Sequence, residues 1–117
     1  ADHPYNRGIP MAFHELRQYR ILPGMMDDWV TFMESVVIPF QVAKGMVITG
    51  SYRGESDDSI YVWTRRFASE QEREALYKDV YESDEWKNDI APKIPDMMDT
   101  QGTNVTRIVA TSRSPAQ

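Results

Sequence analysis

Glu15, Arg17 and Tyr19 are the residues of this sequence with the most chemistry to offer. They stand two apart in an alternating stretch, so a strand would carry all three on one face. A glutamate and an arginine at that spacing can pair, and a partly desolvated pair serves either chemistry or architecture. In the first role Arg17 would hold an enolate or carboxylate, with Glu15 orienting it or acting as a base. In the second the two form an ion pair that fixes the sheet, and this is the default reading. Leu16, between them, reads as a core residue under helices. That would turn Glu15, Arg17 and Tyr19 toward the opposite, barrel side of the sheet.

His14 has the titration range of a general base. Alternation sets it across the strand from Glu15 and Arg17, so an ordinary strand role is its default. Tyr61, Trp63 and Arg65 share one face of a later strand. Two aromatics beside a cation suit a planar, anionic or aromatic ligand; packing between two copies of the chain explains them equally and is preferred. Asp27-Asp28 sit near a helix start, where the dipole favours them. Asp57-Asp58 sit in a turn. Neither pair has the spacing of a calcium loop. No zinc motif, phosphate loop or nucleophile elbow is present, so neither a metal nor a cofactor is expected, and no signature names a reaction.

The elements that must position these residues follow from periodicity. Residues 13–22 alternate and stop at Pro23-Gly24, a strand and a breaker. Residues 25–44 carry Met25, Trp29, Phe32, Met33, Val36, Val37 and Phe40 at helical spacing. Pro39 should kink that helix, and Gly45 suits its end. Residues 46–53 and 59–67 read as a hairpin around a polar turn. Ser69 and Glu72 form a capping box ahead of a helix with Leu76, Tyr77, Val80 and Tyr81 on its apolar face. Ser83 caps again, Trp86 and Ile90 extend helical turns, and Pro92 and Pro95 break them. Residues 103–111 form the last strand. Trp29 and Trp86 read as core anchors, and the methionines as gap-filling core.

The order β-α-β-β-α-β makes an α+β, ferredoxin-like fold: a four-stranded antiparallel sheet with both helices on one face. Residues 1–12 read as an N-terminal arm or expression remnant, with Met11 a candidate natural start, and residues 13–117 as one domain. Helices on one face leave the other open, yet residues 60–67 carry large apolar groups at both parities: Ile60 and Val62 at one, Tyr61, Trp63 and Phe67 at the other. The simplest cover is a twofold homodimer packing sheet against sheet.

The chain has 117 residues, enough for one domain with a sizeable core. Its net charge of −5 and lack of any basic run argue against nucleic acid as a partner. No apolar stretch approaches the roughly 20 residues that cross a bilayer, and residues 1–10 lack the apolar core of a signal peptide. Cysteine is absent, which excludes disulfides and thiolate chemistry and fits a reducing compartment. A cytoplasmic location is the expectation.

A set of motifs spread from His14 to Pro115 resembles the NIPSNAP family. The first strand reads His14-Glu15-Leu16-Arg17-Gln18-Tyr19-Arg20, followed by Pro23-Gly24 and Trp29. Pro39 precedes Lys44-Gly45. Then come Gly50-Ser51-Tyr52 and Tyr61-Val62-Trp63 with Arg65, Arg66 and Phe67. Glu72-Arg73, Val80-Tyr81-Glu82-Ser83, Trp86, Arg107 and Thr111-Ser112-Arg113-Ser114-Pro115 complete the pattern. The resemblance implies a ferredoxin-like protomer of the dimeric α+β-barrel superfamily. It implies no reaction: the family is largely without assigned chemistry, and the wider superfamily spans cofactor-free monooxygenases, haem-degrading enzymes and isomerases. Fold alone assigns none of these. Two readings therefore stand. The first is a dimer binding a small hydrophobic or aromatic molecule in its barrel through Arg17, Tyr19, Tyr61, Trp63 and Arg65, with cofactor-free monooxygenase or isomerase chemistry as its extension. The second is a non-enzymatic dimer acting through protein contacts.

Overall fold

The computed structural model describes residues 12–117. The expected arm, apart from Ala12, and the candidate start at Met11 lie outside that range. Strand β1 (Phe13–Ile21) is followed by α1 (Met26–Phe32), a π-helical segment (Met33–Val37) and α2 (Ile38–Ala43). The hairpin strands β2 (Val47–Arg53) and β3 (Ile60–Phe67) come next, then α3 (Glu70–Tyr81). A second π-helical segment (Trp86–Ile90) and a 3-10 turn (Ala91–Asp96) lead to β4 (Met98–Ile108). All strand pairs are antiparallel, in the order β2-β3-β1-β4. The expected element order is therefore observed.

Local chemistry explains the boundaries. Gly24 and Gly45 adopt φ of 76° and 107°, closing β1 and α2 where an L side chain would be strained. Pro39 does not interrupt the first helix. It has no N–H to donate, and the turn before it is widened instead: the Ile38 N–H reaches back five residues to the Met33 carbonyl. Ser69 Oγ accepts the Glu72 N–H at 3.1 Å, the expected N-cap, while the Glu72 carboxylate accepts the Ala68 N–H. Ser83 Oγ accepts the Trp86 N–H and starts the second π segment. Asp57 Oδ1 accepts from the Ser59 backbone and hydroxyl, locking the hairpin turn. The last strand begins at Met98, five positions before the expected 103, because Ile21 and Arg20 pair with Met98 and Asp99. A register shift follows before the regular ladder resumes.

The core lies between the sheet and the helices, in two parts. One gathers Tyr19, Ile21, Trp29, Met33, Tyr61 and Trp63 beneath the first helix. The other gathers Phe13, Met46, Phe67, Leu76 and Val80 beneath α3. This corrects the facing derived from Leu16. Phe13, Glu15, Tyr19 and Ile21 are all buried on the helix side, and Leu16 is half-buried on the open side. Tyr61, Trp63, Arg65 and Phe67 also face the helices, opposite Tyr19, Arg17, Glu15 and Phe13. They are covered within one protomer and do not form a face for a second copy.

Candidate functional site

The β1–β3 register brings Glu15 opposite Arg65 and Arg17 opposite Trp63. Arg65 is wholly buried. Its Nη2 donates to Glu15 Oε1 at 2.7 Å and to the Tyr77 hydroxyl at 2.9 Å. Its Nη1 donates to Tyr81 at 2.7 Å and to Gln41 Oε1 at 2.8 Å. Four rings surround the guanidinium, with Trp63 and Tyr77 nearest at 4.8 and 5.2 Å from centroid to carbon. Tyr77 gives its own proton to Glu15 Oε2 at 2.6 Å. Both oxygens of Glu15 are thus engaged. Burial alone would push its carboxyl up, but the Tyr77 hydrogen bond and the Arg65 charge outweigh it and hold the group below its ordinary value. The Tyr77 phenol is pushed up to about 12, chiefly by burial, and stays neutral near pH 7.

Beside this seam lies a cavity of about 140 Å³ between the sheet and the first helix. Arg17, Tyr19 and Trp63 form its sheet wall. Trp29, Met33 and Val37 recur every four residues along one helix stripe and form the opposite wall. Tyr81, Trp86, Ile94, Met98 and Thr103 close its sides. Both π-helical segments therefore contribute, a frequent placement for such turns. Most of the lining is apolar. The polar groups are few and directional: the Tyr19 hydroxyl accepts Arg17 Nε–H at 2.8 Å and Trp63 Nε1–H at 2.9 Å. Both acceptor directions of that oxygen are then filled, and its proton remains to be donated. Trp29 Nε1 is buried and has no partner among the described residues. The Arg17 side chain is 19% exposed, so it reaches from the cavity lining to solvent.

The sequence matches the NIPSNAP family over residues 14–113. The chain belongs to that family. The fold agrees with solved NIPSNAP structures. A NIPSNAP family protein of Agrobacterium tumefaciens aligns with a TM-score of 0.80 at 18% identity, covering 91% of this chain and 99% of that one. A second protein of that organism, described as a NIPSNAP family protein of unknown function, gives 0.82 at 20% identity, with 98% and 97% covered. SnoaB, a cofactor-independent oxygenase from Streptomyces nogalater, gives 0.68 at 10% identity, with 90% and 98% covered. At these identities the likeness is one of fold. No curated protein sequence matches the chain.

Within this NIPSNAP domain the candidate residues separate into four places. Arg17, Tyr19 and Trp63 meet at the cavity. Glu15 and Arg65 belong to the neighbouring buried seam. Tyr61 stacks on Tyr19 at 6.2 Å and bonds the Ser51 hydroxyl at 2.6 Å, in support of the cavity rather than in its lining. His14 lies on the open face, with Nε2 unpartnered among the described residues, away from the other candidates as alternation requires. Periodicity places Tyr77 and Tyr81 on an apolar helix face and Trp29 as a core anchor; it does not mark the tyrosines and Gln41 as the partners of Arg65. A signal was present. Gln41 continues the Trp29, Met33, Val37 stripe by four more positions, and a fully buried amide on an apolar stripe must have a partner. Among the described residues no cluster of His, Asp or Glu is arranged for a metal, and no helix is long and apolar enough to cross a membrane.

Proposed function

We propose that this NIPSNAP domain binds a small, largely apolar molecule in the cavity under its first helix. The observation that carries the reading is an apolar cavity two of whose lining residues keep an unspent donor, the Tyr19 hydroxyl proton and the Trp29 indole N–H. Buried donors without partners are rare and costly, and concave, mostly apolar sites with a few directed polar groups are the usual form of ligand pockets. The volume is close to that of an apolar cavity of ~150 Å³ that takes benzene. For the cavity, the proposal is binding and no reaction. The oxygenase activity of SnoaB is not carried over, because Glu15, the candidate base, has both oxygens committed to Arg65 and Tyr77. The test is a fragment screen by protein-observed NMR, read at the indole N–H signals of Trp29 and Trp63, repeated on Ile94→Phe. Filling the cavity should abolish binding without lowering Tm. Fragment binding that survives Ile94→Phe unchanged sinks the reading.

The proposal includes a homodimer through the open sheet face. Its support is Leu16 and Val62, half-buried on that face, Ile60 at the start of β3, and Tyr52 and Ile108, which remain 60% and 42% exposed on the same face. A twofold partner would remove these groups from water. Light scattering at micromolar concentration should give twice the protomer mass, and Val62→Lys should return the monomer. A monomeric wild-type chain refutes this part alone.

A further inference from the structure

The arginines flanking Glu15 are not matched in number by carboxylates. Arg65 Nη2 holds Glu15 Oε1 at 2.7 Å, and Arg17 Nη1 stands 3.7 Å from the same oxygen. One negative charge is shared by two guanidiniums, and Tyr77, lodged between them, is neutral. Among the described residues no other carboxylate lies within ion-pair distance of either arginine. The seam therefore carries one positive charge in excess, in a partly desolvated place where an unbalanced charge is costly. The excess sits on Arg17, since Arg65 is wholly enclosed and paired. Arg17 is also the arginine that lines the cavity. Its Nε is used by the Tyr19 hydroxyl and its Nη1 is 3.5 Å from Tyr77. Its Nη2 has no partner among the described residues.

Resting on the binding reading above, we infer that the ligand of this cavity is a small carboxylate built on about one ring. Its apolar body lies against Trp29, Met33, Val37 and Trp86. Its carboxylate is held by the Arg17 guanidinium and the Tyr19 O–H. Three features set this chemistry. The enclosure is sized for one ring. Its walls are apolar. Its polar end offers donors, and a hydroxyl whose acceptor sites are filled can only give a proton, so an anion satisfies both the charge and the hydrogen bond. The residual charge also ranks ligands. A neutral isostere of the same shape fills the cavity but leaves Arg17 unmatched.

The experiment compares phenylacetate with phenylacetamide, and benzoate with benzamide, by calorimetry and by the Trp29 and Trp63 indole signals. The acids should bind about tenfold tighter than their amides, since hydrogen bonds to an ionised acceptor are roughly twice as strong as neutral ones. Arg17→Met keeps the stem and removes the charge, and should erase that preference by weakening the acids much more than the amides. Tyr19→Phe should weaken the acids severalfold. Equal affinity for acid and amide in the wild-type chain overturns the carboxylate inference and leaves the cavity reading standing. Absence of any indole response to all four compounds at millimolar concentration overturns both. An acid preference that persists in Arg17→Met places the anion elsewhere and overturns the inference. The wild-type comparison decides the matter even if a variant fails to fold.

Discussion

Arg17 and Arg65 lie on the same face of the same sheet, share one carboxylate and touch one tyrosine, yet they are built for opposite purposes. Arg65 has its terminal nitrogens engaged by Glu15, Gln41, Tyr77 and Tyr81 and is closed in by aromatic rings. Arg17 has one short hydrogen bond, a distant share of Glu15 and a free edge toward a cavity. The Arg65 Nε is buried without a partner among the described residues, yet a buried charge held by four partners through its terminal nitrogens specifies structure, because any rearrangement would strand it. A half-satisfied one at a solvent-reaching edge is free to take a partner. The difference teaches that the chemically interesting arginine of a pair is the less connected one.

That contrast makes Arg65 the place where damage is greatest. Arg65→Leu should cost about 3–5 kcal/mol, the usual penalty for leaving one member of a buried ion pair behind, measured by urea denaturation. Glu15→Leu should cost a similar amount by stranding Arg65. The double variant should lose clearly less than the sum of the two, because neither charge is then left alone. Additive losses would mean that the two residues do not form the unit described here.

The order of elements was legible in the sequence because periodicity, Gly24, Gly45 and the Ser69 cap are local signals. The facing of β1 was not. Leu16 looked like the core residue of its strand, but Phe13, Tyr19 and Ile21 share the parity of Glu15 and Arg17 and outweigh it in buried area. Polar residues entered the core because their partners lie far along the chain: Glu15 is 50 positions from Arg65 and 62 from Tyr77. No local window contains such a pair. The cavity was hidden for the same reason, since its walls come from β1, β3, β4, α1, α3, both π segments and the 3-10 turn.

The hydroxyls of the seam rank below the charges. Tyr77→Phe removes the donor to Glu15 Oε2 and should cost about 1–3 kcal/mol, the penalty of an unmet buried acceptor. Tyr81→Phe should cost less, because Arg65 Nη1 keeps Gln41. Stability should also depend on pH at both extremes. Glu15 titrates lower when folded than its ordinary value of 4.5, so its contribution is present above that pH and is lost as pH falls through the folded value. Tyr77 and Tyr61 titrate higher when folded, at about 12 against an ordinary 10. Their contribution is present below pH 10 and lost as pH rises from 10 toward 12. Chemical denaturation across pH should show both declines, and Tyr77→Phe should flatten the alkaline one. An alkaline limb of unchanged steepness in that variant would assign it to other groups.

The smallest effect on stability should come from Arg17, and that is what would sharpen the comparison most. Its guanidinium is partly solvated, its ion pair is long, and its charge is in excess where it stands. Arg17→Met keeps the apolar stem and frees Glu15 to serve Arg65 alone. It also returns one acceptor direction of the Tyr19 hydroxyl, which still holds Trp63. We expect a change in unfolding free energy within about 1 kcal/mol, the range of weak, screened pairs. A gain is as compatible with the picture as a small loss, because removing surplus charge relieves the seam. Arg65→Leu in parallel supplies the scale. If Arg17→Met destabilised the fold as severely as Arg65→Leu, the two arginines would be equivalent parts of one structural network, and the cavity would lose the charge that distinguishes it.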